Sequence, residues 1–274
     1  MRMLIVGAGS AGRKHYAALE QIEPDIEVAF VDTDPKVDAD FRKLEDALEM
    51  ECHWQAAVIA TPPPHLASLA TECMRAGLHV LIEKPVCLNR EQGHNLLETA
   101  ADCSVAVRTG YMHRHQPDLV TSIFESDAIQ ITMGYDLRAI RNPVPRYFHE
   151  KGGGAVWDIA SHALSLVRQL GYLEVVGFQL HHVSWSPMPV RAAIQLQAGG
   201  KPVQILAGAD FPCRICRARL ISDEGFQEIE LVGNALCFER QMASFLDAIE
   251  GPSTMAELED AMEISRICEE VMGE

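Results

Sequence analysis

The pattern of apolar and polar positions divides the chain into two parts with different rhythms. In the first 110 residues, short apolar runs alternate with stretches at helical spacing, which predicts a parallel, doubly wound α/β sheet. The predicted strands are Met3–Val6, Val28–Val31, Ala56–Ala60, Leu78–Ile82 and Ser104–Val107. The predicted helices cover residues 13–19, 37–50, 66–76 and 89–101. Because little chain separates the second strand from the third, we expect one strand-and-helix unit to be shortened or missing there.

Local signals mark the ends of two of these helices. The run Thr61–His65 contains three consecutive prolines and predicts a rigid turn after the third strand. Asn89, followed three positions later by Gln92, predicts a capping box at the start of the fourth helix.

Beyond residue 110 the rhythm becomes that of a second domain. A strand at Ile129–Leu137 leads into an irregular loop, and a helix follows at Ala155–Leu170. Five strands and two helices complete the chain, at 175–184, 191–197, 203–208, 217–221, 226–232, 237–249 and 256–271. Turns with Gly and Pro separate these strands, which favours an antiparallel or mixed sheet. We therefore predict one domain over residues 1–110 and a second, α+β domain over residues 111–274.

A glycine-rich loop joins the first strand to the first helix. The run Gly7-Ala8-Gly9-Ser10-Ala11-Gly12 has the G-x-G-x-x-G spacing of a dinucleotide site, although the motif alone also fits an ordinary strand-to-helix turn. Gly7 permits the turn, Gly9 lets the backbone approach a pyrophosphate, and Gly12 allows close packing. The context strengthens this interpretation, because Asp32 ends the second strand twenty residues after Gly12. An acid there binds ribose hydroxyls and repels a 2′-phosphate, which predicts NAD(H) in preference to NADP(H).

Composition restricts the partners and the compartment. The formal net charge of -16 disfavours nucleic acid and anionic membrane surfaces. No apolar run approaches the roughly 18 residues of a membrane span, and the immediate first strand leaves no room for a signal peptide. Eight scattered cysteines are typical of reduced thiols in the cytoplasm. Cys213-x-x-Cys216 lacks a second pair and a nearby His, so we expect no metal.

Lys84, Asp158 and His162 are the residues best suited to proton transfer. Lys84 stands between Glu83 and Pro85 at the end of a buried strand, although a surface lysine starting a loop fits equally. Asp158 and His162 are four positions apart and so share a helix face, and a buried acid can fix the tautomer of a neighbouring His. The alternative for this pair is a capping Asp and a core His. The three glycines at 152–154 let a ligand approach the start of that helix.

Four motifs together point to a known family. They are Gly7–His15, Thr61–His65, Ala76–Pro85 and Gly153–His162 with its Asp-x3-His spacing. In this order they resemble the Gfo/Idh/MocA family of nicotinamide-dependent oxidoreductases, which includes glucose-fructose oxidoreductase and inositol dehydrogenase. The run Phe238–Ile249 is similar to a late helix of that family. The resemblance implies a Rossmann domain followed by an open-faced sheet domain, and hydride transfer at a carbinol carbon of a sugar, polyol or sugar derivative.

The resemblance also assigns roles to residues. It implies that Lys84, Asp158 and His162 form the catalytic group, with His162 as the acid/base. The cofactor site is then expected to comprise Gly7, Gly9, Ser10, Ala11, Gly12, Asp32, Thr61, Pro62, His65, Glu83 and Lys84. One departure concerns substrate contacts, because Ser165 stands where members often carry an Asp.

The substrate is expected to contact both the catalytic group and nearby basic residues. His113 and Arg114 lie where the family joins its domains and touches substrate. Arg138, Arg141 and Arg146 gather in the loop before the glycines. They fit either a solvated loop or a clamp for a phosphate or carboxylate. The predicted substrate contacts are Lys84, His113, Arg114, Arg141, Arg146, Asp158 and His162.

These observations predict an NAD(P)-dependent oxidoreductase of a sugar, a polyol or a sugar derivative, including anionic and nucleotide sugars. Two alternatives stay open: an NAD-binding sensor without catalysis, and a reductase of a non-sugar substrate. We also expect a homo-oligomer, a dimer or tetramer. The second domain has too few helices to cover its strands, which predicts an apolar sheet face that a partner must cover.

Overall fold

The structure, a computed structural model, describes residues 1–50, 53–141, 143–251 and 255–273. The chain forms two compact units, one of Met1–His115 with Asn234–Met262, the other of Gln116–Gly233 with Glu263–Glu274. Within the described ranges no helix is both long enough and apolar enough to cross a membrane.

The first unit is built on a five-stranded parallel sheet. Its strands are β1 (Arg2–Val6), β2 (Glu27–Val31), β3 (Ala56–Ile59), β4 (His79–Ile82) and β5 (Val107–Thr109). They are ordered β2-β1-β3-β4-β5, and every neighbouring pair is parallel. The prediction of a parallel sheet is confirmed. The strand β2 lies at one edge, directly beside β1, in keeping with the short chain between β2 and β3.

Four helices alternate with these strands: α1 (Ser10–Ile22), α2 (Leu44–Leu48), α3 (Pro63–Arg75) and α4 (Arg90–Cys103). The capping residues of α4 are the predicted ones. Asn89 Oδ1 accepts the backbone N–H of Gln92 at 2.8 Å, and Gln92 Oε1 accepts that of Leu88 at 2.8 Å. The second bond therefore goes to the residue before Asn89, one position earlier than in a standard capping box.

Three predictions in the first unit were wrong in extent. The helix expected over residues 37–50 is reduced to α2, because Phe41 forms a parallel bridge with Val31 and the Arg42 side chain binds the carbonyl of Val37 at 2.9 Å. The strand expected from Ser104 begins at Val107, since Ser104 adopts a left-handed conformation that ends α4. The turn expected over residues 61–65 already belongs to α3 from Pro63, a position where a helix tolerates proline.

The second unit is built on a six-stranded sheet ordered β11-β10-β6-β9-β8-β7. Its strands are β6 (Ala128–Asp136), β7 (Leu173–Val183), β8 (Ser186–Ala198), β9 (Lys201–Gly208), β10 (Asp210–Ser222) and β11 (Gly225–Glu230). The pair β6–β9 is parallel, and the other neighbours are antiparallel, which confirms the expectation of a mixed sheet. The remaining helices are α5 (Leu119–Glu125), α6 (Leu137–Ile140), α7 (Ser161–Arg168), α8 (Ala235–Glu250) and α9 (Ala256–Met272).

The helix predicted over residues 155–170 has two parts. Ala155–Ala160 forms a π-helix, and α7 continues from Ser161 in the ordinary α conformation. Gly154 precedes the π-helix with φ of 74°, a conformation that favours glycine. The departure from α geometry coincides with Asp158, and such π-helical turns occur frequently at functional sites.

The segment that begins at Asn234 folds with the first unit, although the sequence analysis grouped it with the second domain. The apolar face of α8 explains this placement. Phe238, Met242 and Phe245 are buried in one cluster with Met3 and Ile5 of β1. The helix thus completes the core beside the first strand.

One face of the second sheet carries a row of polar side chains. Across the register, Gln130 of β6 lies between Gln204 of β9 and Arg219 of β10, and Arg219 lies opposite Glu228 of β11. Gln130 Nε2 donates to Gln204 Oε1 at 3.1 Å. The prediction of an apolar sheet face was therefore wrong. Strand alternation places glutamines and charged side chains on this face, with only scattered apolar groups such as Leu206, which is 41% exposed.

Candidate active site

The glycine loop has the geometry that a dinucleotide requires. A Cβ at Gly7 would lie 2.5 Å from Ala60 O, and one at Gly12 would lie 2.0 Å from Gly7 O, so both positions need glycine. A Cβ at Gly9 would meet no atom within 4 Å, so the space beside it is open. Gly9 caps α1 without any side-chain hydrogen bond. The start of this helix therefore offers backbone N–H groups and room for a pyrophosphate.

Asp32 follows β2 and is fixed by backbone amides. Its Oδ2 accepts the N–H of Ala8 at 2.9 Å, and its Oδ1 accepts the N–H of Asp34 at 2.9 Å. Each carboxylate oxygen has a second lone pair with which to accept a hydroxyl proton. A side chain from farther along the chain also reaches this turn, because Arg42 Nη1 donates to the carbonyls of Asp32 at 3.2 Å and Asp34 at 2.8 Å. Sequence reasoning missed Arg42, which stands ten positions after Asp32.

The ends of neighbouring parallel strands bring the other cofactor candidates to the same edge. Val6, Val31, Ile59 and Ile82 are aligned across the sheet, so Gly7, Asp32 and Glu83 follow at one level. Thr61 lies one residue further along, and its hydroxyl is buried without a hydrogen-bond partner in the described part of the chain. Pro62 caps α3 and His65 is exposed in its first turn. Ser10 and Ala11 open α1. The residues present thus fit a dinucleotide along this edge.

Lys84 follows β4 on a backbone that is tightly held. The N–H of Glu83 donates to Ile59 O at 2.9 Å, and the Lys84–Pro85 peptide bond is cis. Glu83 Oε1 lies 2.7 Å from Nε2 of His15, a fully buried side chain of α1. Burial raises the pKa of the Glu83 carboxyl, but the hydrogen bond and attraction of His15, together with the charge of Lys84, outweigh it and hold the pKa below its usual value. Sequence reasoning missed His15, which looked like any polar residue of a helix.

Asp158 and His162 are set apart from their surroundings by exposure. Every other residue from 152 to 167 is buried, and these two alone are partly exposed. This agrees with the expectation that they share one side of the helix. Tyr135, near the end of β6, donates from its hydroxyl to Asp158 Oδ2 at 3.1 Å. No spacing in the sequence connects Tyr135 with Asp158, because the two meet only through the packing of the helix on the sheet.

Ser165 turns its hydroxyl into its own helix. The side chain is buried, and its Oγ donates to the carbonyl of His162 at 2.7 Å. This contact gives Ser165 a structural role that an Asp at the same position would not fill, since an ionised carboxylate has no hydrogen to donate.

The basic candidates for substrate binding are placed differently from one another. His113 is buried in a 3₁₀ turn of the first unit, and Arg114 in the same turn lies 3.0 Å from Asp260. In the second unit the Arg138 guanidinium lies over the ring of Trp185 at 5.2 Å. Arg141 is exposed, and Arg146, with its side chain 93% exposed, binds Glu150 at 2.8 Å.

No group of three or more potential metal ligands occurs among the residues that the structure describes. Cys213 and Cys216 both lie in β10 as thiols.

Comparison with known proteins adds the family. Residues 1–111 match the model of the Gfo/Idh/MocA oxidoreductases, described as an oxidoreductase family with an NAD-binding Rossmann fold. In this part the chain is similar to the Gfo/Idh/MocA family. The resemblance seen in the motifs, the two-part fold class and the NAD-binding nature of the first unit are thereby confirmed.

Two curated relatives and one solved structure illustrate the match. A dTDP-3,4-didehydro-2,6-dideoxy-alpha-D-glucose 3-reductase of Saccharopolyspora spinosa is 27% identical over 54% of this chain and 47% of its own length. Inositol 2-dehydrogenase of Rhizobium meliloti is 26% identical over 62% of this chain and 54% of its own. The chain thus spans about half the length of these relatives. The structure of GenD2 from gentamicin A biosynthesis, in complex with NAD, covers 100% of this chain and 93% of its own at 19% identity and a TM-score of 0.86, which shows a shared fold.

Proposed function

We propose that this protein is an NAD(P)-dependent oxidoreductase that transfers hydride between nicotinamide and a carbinol or carbonyl carbon of a sugar, polyol or sugar derivative. The observation that carries the proposal is the pair Asp158 and His162, partly exposed on an otherwise buried helix, in a chain whose first unit is an NAD-binding fold. The names of the two relatives, a deoxysugar reductase and an inositol dehydrogenase, support the substrate class.

The chemistry assigned to the protein is the placement of a proton and of hydrogen bonds. In the oxidative direction His162 accepts the proton of the substrate hydroxyl, and in reduction it returns that proton. Asp158, itself held by Tyr135, fixes the imidazole in the orientation and tautomer that this exchange needs. The proposal gives Lys84 the role of a donor to the substrate oxygen. The bound nicotinamide supplies the hydride chemistry.

The proposed cofactor contacts are the residues at the edge of the first sheet, with NAD(H) favoured by Asp32. The proposed substrate contacts beyond the catalytic group are His113, Arg114, Arg141 and Arg146. The exposure of Arg146 supports a role in meeting an anionic or nucleotide sugar, since its guanidinium is accessible from solvent.

We also propose a cytoplasmic location and a homo-oligomeric state. The location is supported by the cysteines, because the seven that lie in the described residues are all unbridged thiols.

Turnover tests the function directly. The purified protein is mixed with NAD or NADH and a panel of sugars, polyols, sugar acids and nucleotide sugars, and nicotinamide absorbance is followed in both directions. The proposal expects turnover with at least one substrate of this panel. Tight NADH binding without turnover on any of them would favour a sensor, and turnover on a non-sugar carbonyl compound alone would favour the other alternative.

A further inference from the structure

A buried histidine and carboxylate connect the helix of the glycine loop with the lysine of the proposed catalytic group. His15 is fully buried in α1, and its Nε2 lies 2.7 Å from Glu83 Oε1. Phe238 of α8 lies against the imidazole edge to face, with ring centroids 5.2 Å apart. Ionisable groups are costly to bury unless they are paired, so this arrangement is stable only while both partners remain in place.

The Glu83 carboxylate has little freedom to move. Its second oxygen, Oε2, accepts the backbone N–H of Lys84 at 3.2 Å. On the other side stands Gly110, where a Cβ would lie 2.7 Å from Glu83 Cα and 2.9 Å from Oε2. One carboxylate oxygen of Glu83 is therefore bound to His15 of α1, and the other accepts the backbone N–H of Lys84.

We propose that Glu83, held by His15, is a positioning residue that keeps Lys84 in place as a charged hydrogen-bond donor and leaves proton exchange to His162. This inference rests on the proposed function and adds Glu83 and His15 as the residues that hold Lys84 in its donor role. A fixed anion next to Lys84 stabilises its ammonium form, and an ammonium can donate to the substrate oxygen but cannot act as a base.

The charges around Glu83 support this assignment. Among the described residues, the charged groups that act on it are His15 from α1 and Lys84, its neighbour in the chain. The adjacent strands contribute Ile59 and Gly110 at this level, neither of which carries a charge. The carboxyl stays ionised at neutral pH because these contacts lower its pKa despite its burial.

Lysine labelling measures the effect without requiring turnover. The rate at which an acylating reagent modifies Lys84 is followed against pH by peptide mass spectrometry, with the exposed Lys36 as internal reference. In Glu83→Gln the labelling midpoint of Lys84 should fall by about one pH unit, the typical effect of removing an adjacent opposite charge. This corresponds to roughly tenfold faster labelling below the midpoint. Glu45→Gln removes an exposed carboxylate of α2 and should leave the midpoint unchanged.

Glu83→Asp covers the case in which Glu83→Gln does not fold. It keeps the charge but withdraws it by one methylene, so the midpoint should move in the same direction by a smaller amount. An unchanged Lys84 midpoint in a folded Glu83 variant overturns the proposal. Where the wild type turns over substrate, kcat should fall in Glu83→Gln. A shifted midpoint in a protein without turnover on the panel would leave the positioning role intact and reject the proposed function.

Discussion

Asp32 is the residue on which the choice of cofactor depends. Its carboxylate is fixed by the amides of Ala8 and Asp34, at the position where a 2′-phosphate would bring a second negative charge. Fluorescence titration should therefore show tighter binding of NADH than of NADPH. Asp32→Ala should narrow or reverse this difference, and Asp25→Ala, which removes an exposed acid elsewhere in the first unit, should leave it unchanged. Tighter NADPH binding by the wild type would refute the assignment.

His115 makes stability depend on pH. Burial, with the nearby charges of Arg114, Arg108 and Arg240, lowers its pKa to about 4. An unfolded histidine titrates near about 6.5, so between these values the unfolded state binds more protons than the folded one. The free energy of unfolding should therefore decrease as pH falls from about 6.5 toward 4.

Urea titrations at a series of pH values measure this dependence. His115→Gln should lose less stability over the interval than the wild type. His94→Gln, at an exposed position of α4, should behave like the wild type. Equal slopes for the wild type and His115→Gln would show that the histidine is not responsible.

Residues in motifs could be proposed as site candidates from the sequence, whereas the residues that contact them could not. Gly7, Asp32 and Lys84 can be recognised in the sequence because each follows directly on a predicted strand within a motif of fixed spacing. His15 and Tyr135 act on partners 68 and 23 positions away along the chain, through contacts that only folding creates. No local pattern marks such residues.

At the scale of elements, the glycines of the loop have different roles, some in packing and one in binding the cofactor. Gly12 must be glycine for the loop to close, whereas a Cβ at Gly9 meets only open space. Gly9→Ala should therefore fold with an unchanged melting temperature but bind NADH much more weakly, because the methyl group takes the space intended for the pyrophosphate. Gly177→Ala, also without a neighbour within 4 Å, should change neither property. Undiminished NADH affinity in Gly9→Ala would place the cofactor elsewhere.

Regular elements with strong periodicity were predicted well, and the exceptions have physical causes. Each strand of both sheets overlaps its expected range, since alternation and apolar runs are local signals. The strands β8 and β10 are longer than expected, and β5 shares only Val107 with its expected range. The prediction of a helix over residues 37–50 was wrong in extent. The bridge of Phe41 to Val31 and the contacts of Arg42 override the local helix propensity there. The π-helix at Ala155–Ala160 has no distinct sequence signature, since its side chains also fit an α-helix.

At the scale of the whole molecule, the assignment of α8 depends on contacts across the sequence. The apolar face of α8 was visible in the sequence. Its packing against β1, more than 200 positions earlier, was not. Sequence order alone grouped it with the segment before it. The two-part architecture was therefore predicted, whereas the segment that returns to the first unit was not.

The oligomeric state is a prediction for the whole molecule. We expect light scattering to give a dimer or a larger assembly at micromolar concentration. Because the uncovered sheet face is largely polar, association there would depend on complementary hydrogen bonds around a few apolar groups such as Leu206. Leu206→Glu should shift the mass toward monomer, whereas Leu236→Glu, at a similarly exposed site of α8, should not. A monomeric wild type would contradict the prediction.

The most direct test of the proposed catalysis compares the wild type with His162→Ala in turnover, NADH affinity and melting temperature. Turnover should fall by about 10²–10⁴-fold, the usual contribution of a positioned proton-transfer group, while NADH affinity and melting temperature stay unchanged. Lys84→Met should also lower turnover strongly, and the double variant should lose far less than the product of the two effects, since the proposed function has both residues act on the same substrate oxygen. Full turnover per folded molecule in His162→Ala, with only a lower melting temperature, would contradict the account and make His162 a structural residue.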